Sequence, residues 1–256
     1  MKCPALMTVV VSAVVLSGIA CLAQSKNGGR PLNPLTGALE KMPKDLEVRF
    51  ALSALPPHLR DAATVLVLDP ASGYVLDRKG SNGFSCIVER TEWARAQFRN
   101  DIFTALCYDE EGSRNHLRVY LDAAAMRAKG MTADAVKQEI ARRFANKTYV
   151  APKRMGLSYM LAPLMRTYPN PDLADNTVLT MSMPHHMIYA PNLTDKDIGG
   201  APPPSPYPFI FEQGPQGYMI LLLGEKEKAK VLEGSKGLMA DLCSYRDFLC
   251  LNDAPH

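Results

Sequence analysis

Histidine is scarce in this chain. The five are His58, His116, His185, His186 and His256, alongside a single tryptophan, Trp93. A catalytic triad or an imidazole metal site must therefore draw on very few residues. The sequence contains no GxSxG, P-loop, GxGxxG, HExxH or paired CxxC. The usual signatures of α/β hydrolases, nucleotide-binding folds, zinc proteases and zinc ribbons are thus missing. An excess of one charge is missing too: 29 Lys and Arg face 26 Asp and Glu, for a net +3. That is too little for a protein held to nucleic acid by phosphate contacts, so no nucleic-acid partner is expected. There is no internal repeat. What is present, 47% apolar and 21% charged residues in 256, reads as one ordinary globular domain rather than long disorder, a collagen repeat or a coiled coil.

The strongest signal lies at the start. Lys2 precedes the uncharged run MTVVVSAVVLSGIACLA, which ends in small residues beside Gln24. This pattern predicts a secretory signal peptide over 1–23, cleaved after Ala23. A permanent anchor needs ~20 strongly apolar residues, whereas this run is rich in Ala, Ser and Gly. Lipidation at Cys21 is a further reading, although Gly18-Ile19-Ala20 departs from the Leu-Ala-Gly that usually precedes a lipid-bearing Cys. YMILLLG at 218–224 is only strand-length, so no transmembrane span is expected after cleavage. The expected address is secreted or periplasmic.

Cleavage would leave four cysteines, Cys86, Cys107, Cys243 and Cys250. Two disulfides with three possible connectivities follow for an oxidising compartment. The segment KGLMADLCSYRDFLCL reads as an amphipathic C-terminal helix. On a continuous helix Cys243 and Cys250 would lie roughly 10 Å apart along the axis, beyond the ~7 Å reach of a disulfide. The expectation is therefore cross-pairing with Cys86 and Cys107.

Residues 24–43 are polar and rich in Gly and Pro, predicting a mobile leader before a single domain over 44–256. A helix is expected from Lys44 to Ala54, where Pro56-Pro57 stops it. TVLVL, YVLDR and FSCIVER, separated by DPASG and Ser81-Asn82-Gly83, predict a three-strand antiparallel meander over 64–90. The stripe Trp93, Phe98, Ile102 and Leu106 predicts a helix capped by Thr91. HLRVYLDAAAMRAKG predicts another, stopped at Gly130, and MTADAVKQEIARRFAN a third, capped by Thr132. After Pro152, LSYMLAPL, NTVLTMSM, HHMIYAP, FIFE and YMILLLG are strand-like. The fold class is α+β: an antiparallel sheet with a helical middle segment.

Few residues recommend themselves for chemistry. Met181, Met183 and Met187 flank His185, and thioether with imidazole suits Cu(I); the competing reading is a strand whose methionines fill the core. Cys86, beside the Asn-Gly turn, would suit a nucleophile activated by His185, with Glu89 or Asp109 to orient the ring, and Ser85 and Ser182 are weaker choices. Its competing reading is a disulfide. Arg142, Arg143, Lys147, Lys153 and Arg154 form a basic cluster around a helix end, read as a solvated face. No cofactor is expected. Pro184 marks a strand edge or start. Beyond it His185, Met187 and Tyr189 share one face and His186, Ile188 and Ala190 the other. The aliphatic second set is assigned to the core, leaving His185 toward a cleft.

The runs ATVLVLDPASGYVLDRKGSNGFSCIVER, LDAAAM, GLSYMLA and PHHMIYAP together resemble a group of exported bacterial proteins, over roughly residues 62–223. The resemblance implies export and a single domain, and brings no activity with it. The function that best fits is an exported binding or envelope-associated module. The alternatives are a hydrolase using His185 with Cys86 or a Ser, and a copper-handling protein using segment 181–187.

Overall fold

A computed structural model of the chain describes residues 38–251, apart from 93, 170–172, 202 and 204. The expected signal peptide, the lipidation candidate Cys21 and most of the expected leader fall outside the described residues. The leader's last residues do not hang free. The Glu40 amide donates to Asn100 Oδ1 at 2.8 Å, Asn100 Nδ2 donates to the Ala38 carbonyl at 2.8 Å, and Met42 is buried. All described residues belong to one compact unit.

The first helix, α1 (Lys44–Ser53), follows Pro43, carries Asp45 and Glu47 in its first turn, and buries Leu46, Phe50 and Ala51. Acids at that end complement the helix dipole. The one-turn α2 (Pro57–Arg60) leads into β1 (Thr64–Asp69) and β2 (Gly73–Arg78), an antiparallel hairpin with Gly73 at φ +92°. The third strand, β3 (Ser85–Glu89), does not complete the expected meander. It pairs with β1, and in parallel. The reason is local. Because β2 returns to the start of β1, the chain there crosses over: Ser81 and Asn82 donate to the Ala62 carbonyl, and Gly80 lies so close that a Cβ would sit 2.2 Å from that oxygen. Only glycine passes there, and β3 then enters on the far side of β1, running the same way.

The expected helix over 91–106 is also overturned. Residues 90–92 and 94–103 are irregular and largely buried, and lead into β4 (Thr104–Tyr108). Ala96 and Phe98 are left-handed, at φ 50° and 52°, and no helix continues through them. Thr91 caps nothing; its hydroxyl donates to the Glu92 carbonyl. Buried arginines bond backbone within and beyond the loop instead: Arg90 donates to the Ile102 and Glu40 carbonyls, and Arg95 to that of Leu173.

The helical middle is α3 (Glu110–Arg114), α4 (His116–Ala128) and α5 (Ala133–Ala145). As expected, Gly130 follows α4 at φ +86°, and Thr132 caps α5 by accepting the Ala135 amide at 3.2 Å. Then come β5 (Leu157–Met160), β6 (Met165–Thr167), β7 (Leu179–Met181), β8 (His185–Tyr189), α6 (Asp195–Ile198), β9 (Phe209–Glu212), β10 (Tyr218–Leu222), α7 (Glu225–Gly234) and α8 (Lys236–Tyr245). Eight strands form one sheet in the order β2-β1-β3-β4-β5-β8-β10-β9, antiparallel except for β1 with β3. β6 and β7 pair separately, so the strand-like pieces on either side of Pro184 belong to two different sheets.

Helices cover both faces. In β1, Val65 and Val67 pack toward α1 and α8, while Leu66 and Leu68 point to the side of α4 and α5. That alternation is the two-residue period of a strand buried on both sides. Among the described residues no helix is long and apolar enough to cross a membrane.

All four cysteines among the described residues are bridged, but the expected connectivity is wrong. Cys86 and Cys107 stand opposite each other in β3 and β4, with Cα atoms 4.1 Å apart. Cys243 bonds Cys250, Cα to Cα 4.4 Å, because α8 stops at Tyr245. Arg246 turns extended (φ −148°, ψ 124°), and a 3₁₀ turn over Asp247–Leu249 folds Cys250 back. The 10 Å objection holds only for a continuous helix.

Candidate functional site

The residues that come together are not the ones the motifs single out. Asp109 directly follows β4. Its Oδ1 accepts the Gly112 amide at 2.8 Å, capping α3, and its Oδ2 accepts the Leu157 amide at 3.0 Å. Two charge-assisted bonds pin this carboxylate between sheet and helix. The Tyr189 phenol, at the end of β8, donates to Asp109 Oδ1 at 3.0 Å and lies 3.0 Å from Ser158 Oγ. Glycines make room for the ring: a Cβ on Gly112 would meet Tyr189 Oη at 1.8 Å, and one on Gly156 would meet the ring at 2.5 Å.

The short α3 sets the start of α4 over this corner. His116, the first residue of α4, stacks on Tyr189 (centroids 4.4 Å) and lies 4.7 Å from the Tyr218 ring. The Gln216 carbonyl, 3.2 Å from Nε2, can only accept, so Nε2 carries the proton. Nδ1 is buried with no partner. Burial drives the His116 pKa down to about 4, outweighing the Gln216 bond, so the ring is neutral at physiological pH.

A second acid, this one buried, extends the cluster. Glu89 ends β3 on the same sheet face, and the Tyr108 phenol donates to its Oε1 at 3.3 Å. Burial pushes Glu89 up to about 8, against the hydrogen bonds from Tyr120 and Tyr108. Glu212, opposite Tyr218 in the β9–β10 pair, is raised well above its usual range for the same reason. Burial likewise raises the phenols of Tyr108, Tyr120 and Tyr218. At neutral pH Glu89, the phenols and His116 are uncharged.

Asp109 and Glu212 are partly exposed, but the rest of the cluster does not meet solvent directly. His116 is 1% exposed, and Tyr108 and Ser158 are fully enclosed. The cluster reaches the surface through Gln216, whose Nε2 donates to the Asn115 carbonyl at 3.1 Å. Gln216 forms part of the wall of a cleft of about 480 Å³, with Pro215, Ala94 and, from α5, Lys137, Ile140 and Phe144. The lining is mostly apolar, with amide groups and one ammonium at its edge. This composition suits a ligand with an apolar body.

The expected site residues are scattered. His185 is buried rather than facing a cleft, at 2% exposure, and its Nδ1 lies 2.7 Å from the Met183 carbonyl. His186 is the half-buried one, its ring edge-on to Tyr159 at 5.4 Å. The face assignment is therefore inverted, because the His185–Met187–Tyr189 side is the one turned into the cluster under α4. Cys86 packs on the opposite sheet face, against α1, and its sulfur is committed to Cys107. No Cys86–His185 pair forms. Met181 stands opposite Met165 in the two-stranded sheet, Met183 meets His185 through its backbone, and Met187 is in the core. Among the described residues no group of three or more His, Cys, Asp and Glu is placed to hold a metal ion. Ser85 opposes Tyr108, and the Ser182 hydroxyl oxygen is buried and unpartnered. In the basic cluster, Arg142 and Arg143 pair with Glu139, and Arg154 with Glu110 and Glu111.

Glu89 and Asp109, named as orienting carboxylates, do belong to the buried cluster, but their partners are tyrosines. The only sequence sign of this corner is Asp109 three residues before Gly112, an N-cap spacing. Nothing in the sequence marks Tyr189, Ser158 or His116 as neighbours. The chain matches no family model, no curated protein and no solved structure.

Proposed function

We propose that the chain is an exported binding domain whose ligand site is the cleft between α5 and the 213–216 turn. The observation that carries this reading is the contrast between that open, apolar cleft and the burial of His116, His185, Ser158 and the Cys86–Cys107 bridge. The uncharged Tyr–Glu–His cluster then serves as a rigid support that holds Gln216 in the cleft wall. Export is supported by the pattern over 1–23, by the resemblance to exported bacterial proteins, and by two disulfides, which persist in oxidising compartments.

Two measurements test it. Titration with anilinonaphthalene sulfonate, read by calorimetry and by the emission of the lone Trp93, should saturate at one site. Ala141→Leu, which fills the cleft from an exposed helix position, should weaken binding at least tenfold with an unchanged Tm. Equal binding by the variant removes the cleft as the site. Mass spectrometry of the exported protein should find Gln24 at the N-terminus; a lipid-bearing Cys21 would make the protein an anchored one, and an intact residue 1 would defeat export by cleavage.

A further inference from the structure

The two disulfides stand in unlike surroundings. Cys86 and Cys107 are both fully enclosed between the sheet and α1. Cys243 and Cys250 are partly exposed at the end of α8, with Ser244 and Asp247 between them open to solvent. Thiol–disulfide exchange requires a thiolate to reach a sulfur of the bridge, so access governs which bridge reacts. The exposed bridge also closes a loop that tethers two remote parts of the chain. Arg246 forms an ion pair with Glu40 of the segment preceding α1. The Phe248 carbonyl accepts from the Thr180 hydroxyl of β7, and the Arg166 guanidinium of β6 lies 4.7 Å over the Phe248 ring. On either side, Leu242 and Leu249 are fully buried in the core.

We propose that Cys243–Cys250 is a thiol-exchange site that accepts two electrons from a dithiol, and that its reduction loosens the hold of the C-terminal turn on segment 38–43. One thiolate of the dithiol attacks a bridge sulfur. The Cys243–Cys250 bond breaks, a mixed disulfide forms, and the other cysteine leaves as a thiolate. The dithiol's second thiolate then attacks the mixed disulfide and releases the remaining cysteine. The dithiol ends as a disulfide, and its two protons go to the cysteine thiols. Leu242 and Leu249 keep α8 and the turn docked, so the change is local. The Arg246–Glu40 pair, which ties the turn to segment 38–43, is part-exposed.

The test titrates the folded protein with dithiothreitol, traps thiols with N-ethylmaleimide, and follows amide exchange over 38–43. Cys243 and Cys250 should label at least tenfold faster than Cys86 and Cys107 while the near-ultraviolet circular dichroism stays native. Amide protection over 38–43 should fall in step. The double variant Cys243→Ser/Cys250→Ser should show the same loss of protection without reductant. Simultaneous labelling of both pairs, or labelling only as the native signal collapses, overturns the exchange site. Selective labelling with unchanged protection over 38–43 overturns the link to that segment. The wild-type labelling decides the first point even where the double variant fails to fold.

Discussion

The His116 ring lies flat against the Tyr189 ring, centroids 4.4 Å apart and planes 25° from parallel. One residue opens α4 and the other ends β8, so this contact fastens the helical layer to the half of the sheet built from the second half of the chain. Tyr189 is fixed in turn by Asp109 and Ser158.

The glycine under Tyr189 makes that fastening testable. Gly112→Ala places a methyl group within 1.8 Å of the phenol oxygen. The ring must move, which separates Asp109 from Tyr189 and unstacks His116. The expected loss is about 2 kcal/mol or more in urea unfolding, as for other forced shifts in a packed core, with a changed tyrosine circular dichroism. A variant as stable as the parent would show that the corner is loosely packed.

The adjacent histidines should behave oppositely to their sequence assignment. His185 is buried and bonded to the Met183 carbonyl, so His185→Ala should cost about 1–3 kcal/mol. His186→Ala, which removes a half-exposed ring, should cost roughly 1 kcal/mol or less. Denaturant melts of the two variants rank them directly, and the reverse order would put His186 in the core.

Stability should fall on the alkaline side of pH 6.5. Glu89 is raised from 4.5 to about 8 and Glu47 from 4.5 to about 7, both by burial. Folding thus retains protons that the unfolded chain has released. Stability from these groups is full below pH 4.5 and is lost as pH rises through 7 and 8. His116 and His185 are lowered from 6.5 to about 4, so their contribution is full above 6.5 and is lost as pH falls toward 4. Between 4.5 and 6.5 the two trends oppose each other; above 6.5 only the acids act. Glu89→Gln keeps a hydrogen-bonding partner for Tyr108 and has no proton to lose. The variant should therefore gain on the parent between pH 6 and 8.5, by a margin on the order of 3 kcal/mol. Parallel melting curves for parent and variant across that range would mean that Glu89 does not titrate there.

The sequence by itself determined those elements whose information is local. The amphipathic stripe and Thr132 cap of α5, the Gly130 stop, the β1–β2 hairpin with its turn residues, and most of the later strands are set by neighbours within a few positions. So is the fold class, because the two-residue and 3.6-residue periods report which side of each element is buried. Tertiary structure decided the rest. The stripe through Phe98, Ile102 and Leu106 has helical spacing, yet Arg90 and Arg95 find backbone carbonyls across the fold, and TALCY is drawn into the sheet beside β3, where Cys107 meets Cys86. The side on which β3 joins β1 follows from the close pass at Gly80, a contact between backbones that leaves no periodic trace. Which histidine is buried depended on which sheet face α4 would cover. His116, Tyr189, Asp109 and Ser158 are spread over 80 positions and meet only because β4, β5, β8 and the start of α4 converge at one corner, an arrangement set by long-range packing and absent from any local pattern.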